Sequence, residues 1–85
     1  MYVTYIIESE RLGIWYYGHS SEVERRLDEH NAGRNKSTKN KGPWRLIFLR
    51  QFETKADANR FELELKRLKN KEYIKRTFRR FFIGM

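Results

Sequence analysis

Four residues of the segment 22–31 have the spacing that places them on one face of a helix. They are Val23, Arg26, Leu27 and His30, at positions i, i+3, i+4 and i+7. Arg26 and His30 therefore project beside an apolar stripe, where a guanidinium needs a carboxylate, a phosphate or the exposed edge of the face. The alternative is structural: an arginine that reaches solvent and a histidine favoured by the helix C-terminal dipole.

Three further side chains complete a set that can act on a phosphate ester. Glu62 borders the apolar stripe of a second predicted helix, and Tyr5 and Tyr16 lie on two predicted strands. With Arg26 and His30 they provide a carboxylate for a hard cation, a positive charge for a phosphate, and groups that move protons. Each also has a structural explanation, since glutamates at helix edges and tyrosines at the rim of a core are common.

The elements that position these residues begin with a predicted β-hairpin. Tyr2 to Ile7 alternates and is rich in β-branched and aromatic residues, and Ile14 to Tyr17 repeats this character after a polar connection. A helix from Glu22 to Asn31 follows. This order places Tyr5 and Tyr16 on paired strands directly before the helix that carries Arg26 and His30.

Both ends of this first helix have sequence signals. Ser20 and Ser21 are candidate N-caps, and Glu24 stands three residues after Ser21, as in a capping box. Gly33 is the expected stop, because glycine readily adopts the left-handed conformation that ends many helices.

The second half of the chain is predicted to contain a loop, a strand and two helices. Arg34 to Pro43 is polar and basic, which indicates a surface loop, and Trp44 to Phe52 has strand character. Thr54 is a good N-cap for a helix whose third position is Asp57. The apolar stripe of that helix has a 3-4-3 spacing and consists of Ala58, Phe61, Leu65 and Leu68.

A third helix is predicted from Glu72 to Phe82, packed by its aromatic face. The element order is then β-β-α-β-α-α, with no regular βαβ alternation. This order predicts an α+β fold in which helices flank a small three-stranded antiparallel sheet, since three strands need a covering layer. With 85 residues, we expect one domain over residues 1–85.

The charge of the chain favours a polyanionic partner. Nineteen basic and eleven acidic residues give a net charge of +8, and residues 34–50 contain no acid. There are no cysteines, which excludes disulfides and thiolate metal sites. No apolar run is long enough to span a bilayer and no export signal is evident, so we expect a cytoplasmic protein.

Several motifs together resemble the GIY-YIG nuclease superfamily, in particular its small stand-alone members and the UvrC N-terminal nuclease domain. The first motif corresponds to Val3-Thr4-Tyr5 and the second to Tyr16-Tyr17-Gly18. The first lacks a glycine and Tyr17 replaces the usual aliphatic residue of the second. The similarity continues through Ser20–Gly33, Lys36–Lys39, Pro43-Trp44 and Arg60–Lys66, and covers residues 2 to about 76.

The resemblance implies a metal-dependent DNA endonuclease. In that interpretation Glu62 holds one Mg²⁺ (or Mn²⁺), Arg26 neutralises the phosphate, and Tyr5 or Tyr16 deprotonates the attacking water with help from His30. Which tyrosine is the base stays open. The expected catalytic residues are thus Tyr5, Tyr16, Arg26, His30 and Glu62. The residues expected to bind nucleic acid are Arg34, Lys36, Thr38, Lys39, Lys41, Lys66 and Lys69.

Other expectations and alternatives accompany this interpretation. One site cuts one strand, and cleavage of both strands would need a dimer or two successive nicks. We expect a monomer or weak homodimer that acts on DNA, with RNA as an alternative, in repair or recombination. One alternative is a non-catalytic module that keeps the fold and binds nucleic acid. Another is a membrane-surface protein acting through residues 66–82, which the absence of one clean apolar face disfavours.

Overall fold

The computed structural model describes residues 1–84 and has the predicted element order. A 3₁₀ turn, Arg79–Phe81, follows the last helix. The strands and helices are β1 (Tyr2–Ser9), β2 (Trp15–Ser20), α1 (Val23–Asn31), β3 (Trp44–Phe52), α2 (Lys55–Leu68) and α3 (Lys71–Thr77). The predicted hairpin, the predicted third strand and the α+β class are all confirmed.

The three strands form one antiparallel sheet in the order β2-β1-β3, with β1 in the centre. Successive side chains of a strand point to opposite faces. Tyr5 and Ile7 therefore pack with residues of α1 on one face, whereas Ile6 packs with α2 and α3 on the other. The sheet is thus the middle of three layers, and the edge strand β2 is bordered by helices of both outer layers.

The larger core lies between the sheet and the layer formed by α2 and α3. Its six buried members are Ile6, Phe48, Phe61, Leu65, Ile74 and Phe82. Full burial of such a side chain contributes about 1.5–3 kcal/mol. The predicted stripe of α2 supplies two of them, so the 3-4-3 spacing identified the buried face of this helix correctly.

The two longer helices begin differently. At α2, the Thr54 hydroxyl accepts a hydrogen bond from the backbone N–H of Asp57 at 3.1 Å, as predicted. At α1, the predicted capping box is wrong: Glu22 is the N-cap and no side chain caps the first turn. Ser20 ends β2, and its hydroxyl accepts from the N–H of Glu22 at 2.9 Å. Ser20, one of the two predicted N-caps, therefore stabilises the turn between β2 and α1 and does not cap the helix.

The C-terminal end of α1 follows the prediction. Gly33 has a φ of +75°. Its N–H donates to the carbonyl of His30, and the N–H of Arg34 donates to that of Glu29. This pair of bonds is a Schellman motif, and it ends the helix after Asn31, one residue beyond His30.

The third helix is shorter than predicted. It ends at Thr77 instead of continuing to Phe82, which is buried and forms an isolated bridge with Phe48 of β3. Ile83 also donates its N–H to the carbonyl of Ile47 at 2.8 Å. Pairing with the outer edge of the sheet satisfies these backbone groups, so the chain leaves the helical path. Within residues 1–84, no helix is both long and apolar enough to cross a bilayer.

Candidate active site

Tyr5 lies on the central strand with its ring buried under α1. Its side chain is 1% exposed, and its hydroxyl oxygen is 3.0 Å from Nε2 of His30. β1 supplies the tyrosine at a fixed register and α1 supplies the histidine from its last turn. The two residues are 25 positions apart in the chain, so the fold creates this contact.

Gly18 of β2 stands opposite Tyr5 in the strand pair. A Cβ atom built on Gly18 would be 2.5 Å from the Tyr5 hydroxyl oxygen and 2.6 Å from the adjacent ring carbon. No side chain fits at that distance. The glycine of the second motif therefore leaves the space in which the tyrosine of the first motif lies.

His30 is buried between several neighbours. Its Nδ1 is 2.8 Å from the Thr38 hydroxyl oxygen, and the centroid of its ring is 5.0 Å from that of the half-buried Tyr16. Thr38 belongs to the segment between α1 and β3 and is 1% exposed. Both ring nitrogens of His30 are therefore occupied by hydroxyl groups, one from Tyr5 and one from Thr38.

The protonation of this pair is set mainly by burial. Burial raises the pKa of Tyr5 to about 12, although the nearby Arg26 guanidinium lowers it in part. Burial, and then the charge of Arg26, hold the pKa of His30 below its ordinary value of 6.5, against the opposing charge of Glu29. At neutral pH the site thus contains a protonated phenol beside a neutral imidazole.

Arg26 projects from the same face of α1 as His30. Its side chain is 37% exposed and its Nη1 donates to Oε1 of Glu29 at 3.3 Å. Because this long contact is made at the surface, it leaves donors of the guanidinium available for an incoming anion. Arg26 is thus a cation at the edge of the buried Tyr5–His30 pair.

Glu62 of α2 reaches the edge strand from the opposite face of the sheet. The residue is 8% exposed, and Nδ1 of His19 donates to its Oε1 at 2.6 Å. Its Oε2 accepts from Nζ of Lys66, also at 2.6 Å. His19 lies on the α2 face because it pairs with Thr4, whose hydroxyl donates to the carbonyl of Ala58 in α2.

The structure thus brings four of the five predicted catalytic residues into one contiguous group, namely Tyr5, Tyr16, Arg26 and His30. Glu62 belongs to a second group with His19 and Lys66, although its charge still contributes to the raised pKa of Tyr5. Gly18 and His19 are consecutive in β2 and point to opposite faces. The two groups of the candidate site therefore lie on opposite faces of the sheet, on either side of the edge strand β2.

Sequence reasoning missed His19. Its position directly after the Tyr16-Tyr17-Gly18 motif could have indicated a role in the site. Alternation along the strand directs its side chain to the α2 face. Its contact with Glu62 depends on how α2 lies against β2, which the local pattern does not specify.

Thr38 is placed differently from the prediction. It was expected to contact nucleic acid from a surface loop, but it is buried with its hydroxyl turned towards His30. A buried hydroxyl that is bonded within the protein does not reach a phosphate. Thr38 therefore contacts His30 and not the nucleic acid. The other six residues predicted to bind nucleic acid are exposed: Arg34, Lys36, Lys39, Lys41, Lys66 and Lys69.

The donor set fits a weakly held divalent cation. Within residues 1–84, no three His, Cys, Asp or Glu side chains are grouped to hold a metal ion by themselves. Among the carboxylates in this described part of the chain, Glu62 is the one that is buried, and it reaches β2 from the face of the sheet opposite the Tyr5–His30 pair. Mg²⁺ is commonly bound by one or two carboxylates together with substrate phosphate and water. Glu62 is suited to that arrangement.

Comparison with protein families matches residues 1–77 to the GIY-YIG catalytic domain. The chain is also similar to the UPF0213 protein BH0048 of Halalkalibacterium halodurans, at 38% identity over 69 residues, covering 80% of this chain and 72% of the relative. A UPF0213 protein of Listeria welshimeri is 41% identical over 58 residues, covering 67% of this chain. The present chain spans 64% of that relative's length.

A solved structure agrees with these sequence matches. The solution NMR structure of the UPF0213 protein BH0048 from Bacillus halodurans has a TM-score of 0.53 and 34% identity, and covers 91% of this chain and 83% of that one. The chain belongs to the GIY-YIG family. Membership relates it to nucleases, whereas the names of these relatives specify no reaction or substrate.

Proposed function

We propose that this protein is a divalent-metal-dependent DNA endonuclease that cleaves one strand per site. The observation that carries the proposal is the buried contact between the Tyr5 hydroxyl and Nε2 of His30, with Arg26 at its edge. A phenol bonded to a neutral imidazole can take a proton from water while passing its own proton on. A guanidinium beside it can neutralise a phosphate.

The proposed reaction assigns the base to Tyr5 with His30. A water molecule attacks phosphorus and loses a proton to the Tyr5 oxygen, while the Tyr5 proton moves to Nε2 of His30. The bond from phosphorus to the 3′ oxygen breaks, and that oxygen takes a proton from solvent. The products are a 5′-phosphate and a 3′-hydroxyl. Because Tyr5 is 1% exposed, the reacting water has to enter with the phosphate.

Arg26 and Glu62 have electrostatic roles in this proposal. Arg26 donates to the non-bridging phosphate oxygens as negative charge increases on them. Glu62 would hold Mg²⁺ or Mn²⁺, and the bound cation would supply Lewis-acid stabilisation of negative charge on the phosphate ester. His19 fixes Oε1 of that carboxylate from a strand, whereas Lys66 covers Oε2 from an exposed position on its own helix. Lys66 must leave Oε2 before a cation can reach it.

DNA binding is assigned to exposed basic residues on both sides of the site. The segment between α1 and β3 contributes Arg34, Lys36, Lys39 and Lys41. Lys66 in the last turn of α2 and Lys69, its C-cap, contribute from the other side. Such contacts go to phosphates and carry no sequence information. We therefore expect recognition of DNA shape, in repair or recombination in the cytoplasm, by a monomer or weak homodimer, with RNA as a further candidate.

The hydrogen bonds to both carboxylate oxygens of Glu62 favour one second candidate, a binding module without catalysis. Both carboxylate oxygens already have partners within the protein, as they would in a site retained only for structure. A nicking assay on plasmid, branched and single-stranded DNA and on RNA, with Mg²⁺ or Mn²⁺, separates the two, with Glu62→Ala and Arg26→Ala as controls. Binding with a steep salt dependence but no cleavage of any substrate would establish the binding module.

A further inference from the structure

The hydroxyl of Thr38 belongs to a buried chain of hydrogen bonds that also includes Tyr5 and His30. The Tyr5 hydroxyl lies 3.0 Å from Nε2 of His30, and Nδ1 of the same ring lies 2.8 Å from Oγ1 of Thr38. All three residues are at most 2% exposed. Solvent therefore has little access to these donors and acceptors, and the protein itself determines where the protons lie.

Only one tautomer of His30 gives each of these buried donors an acceptor among the described residues. If Nδ1 carries the proton, it donates to Thr38, the Tyr5 hydroxyl donates to Nε2, and the Thr38 hydroxyl donates to the carbonyl of Asn35 at 3.5 Å. If Nε2 carries the proton instead, it donates to Tyr5, whose own proton then has no acceptor among the described contacts. A buried donor without an acceptor is unfavourable. The Nδ1–H tautomer satisfies every group.

The position of Thr38 is itself fixed by the surrounding fold. Its carbonyl accepts from the indole N–H of Trp44 at 3.2 Å and from the backbone N–H of Lys41 at 3.2 Å. The side chain of Asn31 bonds both to the N–H of Trp44, at 2.6 Å, and to its carbonyl, at 3.1 Å. The segment that carries Thr38 is thus attached to the end of α1 and to the start of β3.

We propose that Thr38 is a positioning residue of this site. Its hydroxyl accepts the Nδ1–H bond of His30 and so keeps Nε2 free of a proton and directed at Tyr5. This inference rests on the proposed function, because the free Nε2 matters for catalysis only if Tyr5 must lose its proton. Thr38 touches no substrate and acts through His30 alone.

Removal of the hydroxyl has a defined consequence. In Thr38→Val the shape of the side chain is kept, but Nδ1 loses its acceptor. Each tautomer then leaves one buried donor unpaired, Nδ1–H in one case and the Tyr5 hydroxyl in the other, so the preference for Nδ1–H is lost and more rings carry the proton on Nε2, where they cannot accept from Tyr5. Loss of general-base assistance lowers a rate by about 10²-fold or more. We expect a fall in kcat up to this size, with KM unchanged, and recovery of activity in Thr38→Ser.

The decisive experiment combines nitrogen NMR of the imidazole rings with steady-state cleavage kinetics. The chain has two histidines, so His19→Gln identifies the signals of His30. The variants are Thr38→Val and Thr38→Ser, with Ser37→Ala as the matched control because Ser37 is the exposed neighbour. Amide spectra and urea unfolding establish that each variant is folded.

We expect the Nδ1–H tautomer in wild type, Thr38→Ser and Ser37→Ala, and a shift towards Nε2–H in Thr38→Val. An unchanged tautomer in folded Thr38→Val overturns the inference while leaving the proposed nuclease intact. A changed tautomer with unchanged kcat overturns the catalytic role of Thr38. Absence of cleavage by the wild type overturns the proposed function and that role together, and the NMR result still decides whether Thr38 sets the tautomer.

Discussion

Gly18 and Tyr5 lie opposite each other on adjacent strands, and the Tyr5 hydroxyl oxygen occupies the space that any side chain at position 18 would need. The distance from that oxygen to a Cβ built on Gly18 is 2.5 Å. The two short motifs of the hairpin are therefore one structural unit. The absence of a side chain at Gly18 leaves room for the buried phenol of Tyr5, and the hydroxyl of that phenol contacts His30.

Substitution of Gly18 by alanine should displace the Tyr5 ring. Overpacking of this kind costs about 1–3 kcal/mol of unfolding free energy, because the clash involves the rigid ring as well as the hydroxyl. Urea unfolding measures this loss, and cleavage should fall with it. Gly13→Ala is the control: Gly13 has a φ of +72° but no atom near an added Cβ, so only backbone strain is expected. A Gly18→Ala protein as stable as wild type would contradict this close packing of Tyr5 against Gly18.

The state of His30 predicts an acid limit to activity. His30 must be neutral to accept a proton from Tyr5, and burial and Arg26 hold its pKa below 6.5. We therefore expect kcat/KM to be constant above about pH 6.5 and to fall on acidification. The titratable groups that face the ring are Tyr5, Tyr16, Arg26 and Glu29. A pH–rate profile measures this fall in kcat/KM. A kcat/KM that rises on acidification would exclude His30 as the acceptor of the Tyr5 proton.

The same pKa shift predicts lower stability in acid. Because the pKa of His30 is lower in the folded chain than the 6.5 of an exposed histidine, the unfolded chain binds more protons between the two values. The contribution of neutral His30 is complete above pH 6.5 and is lost as the pH falls through the folded pKa. Urea unfolding as a function of pH should show that acidification lowers the free energy of unfolding less in His30→Asn than in wild type. Equal acid losses for both proteins would contradict the assignment.

His19 is predicted to hold the carboxylate of Glu62 in place. His19→Ala removes the 2.6 Å bond to Oε1, so the Mg²⁺ concentration for half-maximal cleavage should rise by about tenfold or more. His19→Asn keeps an N–H donor near the position of Nδ1 and should restore much of the affinity. A Mg²⁺ titration of cleavage rates compares the three proteins. Identical Mg²⁺ dependence in wild type and His19→Ala would remove His19 from the site.

The exposed basic segment predicts the salt dependence of binding. Each phosphate contact that is lost should reduce the slope of log K against log salt by about 0.9 on duplex DNA. Lys36→Ala and Lys39→Ala each remove one such contact in the proposed interface. Arg60→Ala is the control, because Arg60 already pairs with Asp57 at 2.8 Å. If the slopes of the two lysine variants equal that of wild type, DNA does not contact this segment.

Local patterns predicted those features of the fold that depend on neighbouring residues. The strand Trp44–Phe52, the Thr54 cap and the buried stripe of α2 follow from alternation, capping and helical spacing. The end of α3 did not follow, because pairing of Phe82 with Phe48 competes with the helix and joins residues far apart in the chain.

The candidate site was predictable to a similar extent. Helical spacing linked Arg26 to His30, and the family motifs linked Tyr5, Tyr16 and Glu62 to them. The contacts of His19 with Glu62 and of Thr38 with His30 were not predicted, since both join residues on different elements. Burial of Thr38 depends on the Asn31 and Trp44 bonds that fix its segment, and no local composition reveals these.

Metal-dependent nicking of supercoiled plasmid by wild type, Glu62→Gln and Glu64→Gln tests the central claim most directly. Glu64 is the matched control, because it lies two residues further along α2 and is exposed. We predict that wild type and Glu64→Gln nick DNA with Mg²⁺ and not with a chelator, and that Glu62→Gln is slower by about 10²-fold or more. Cleavage by Glu62→Gln at the wild-type rate, or no cleavage by wild type with Mg²⁺ or Mn²⁺, would contradict the account.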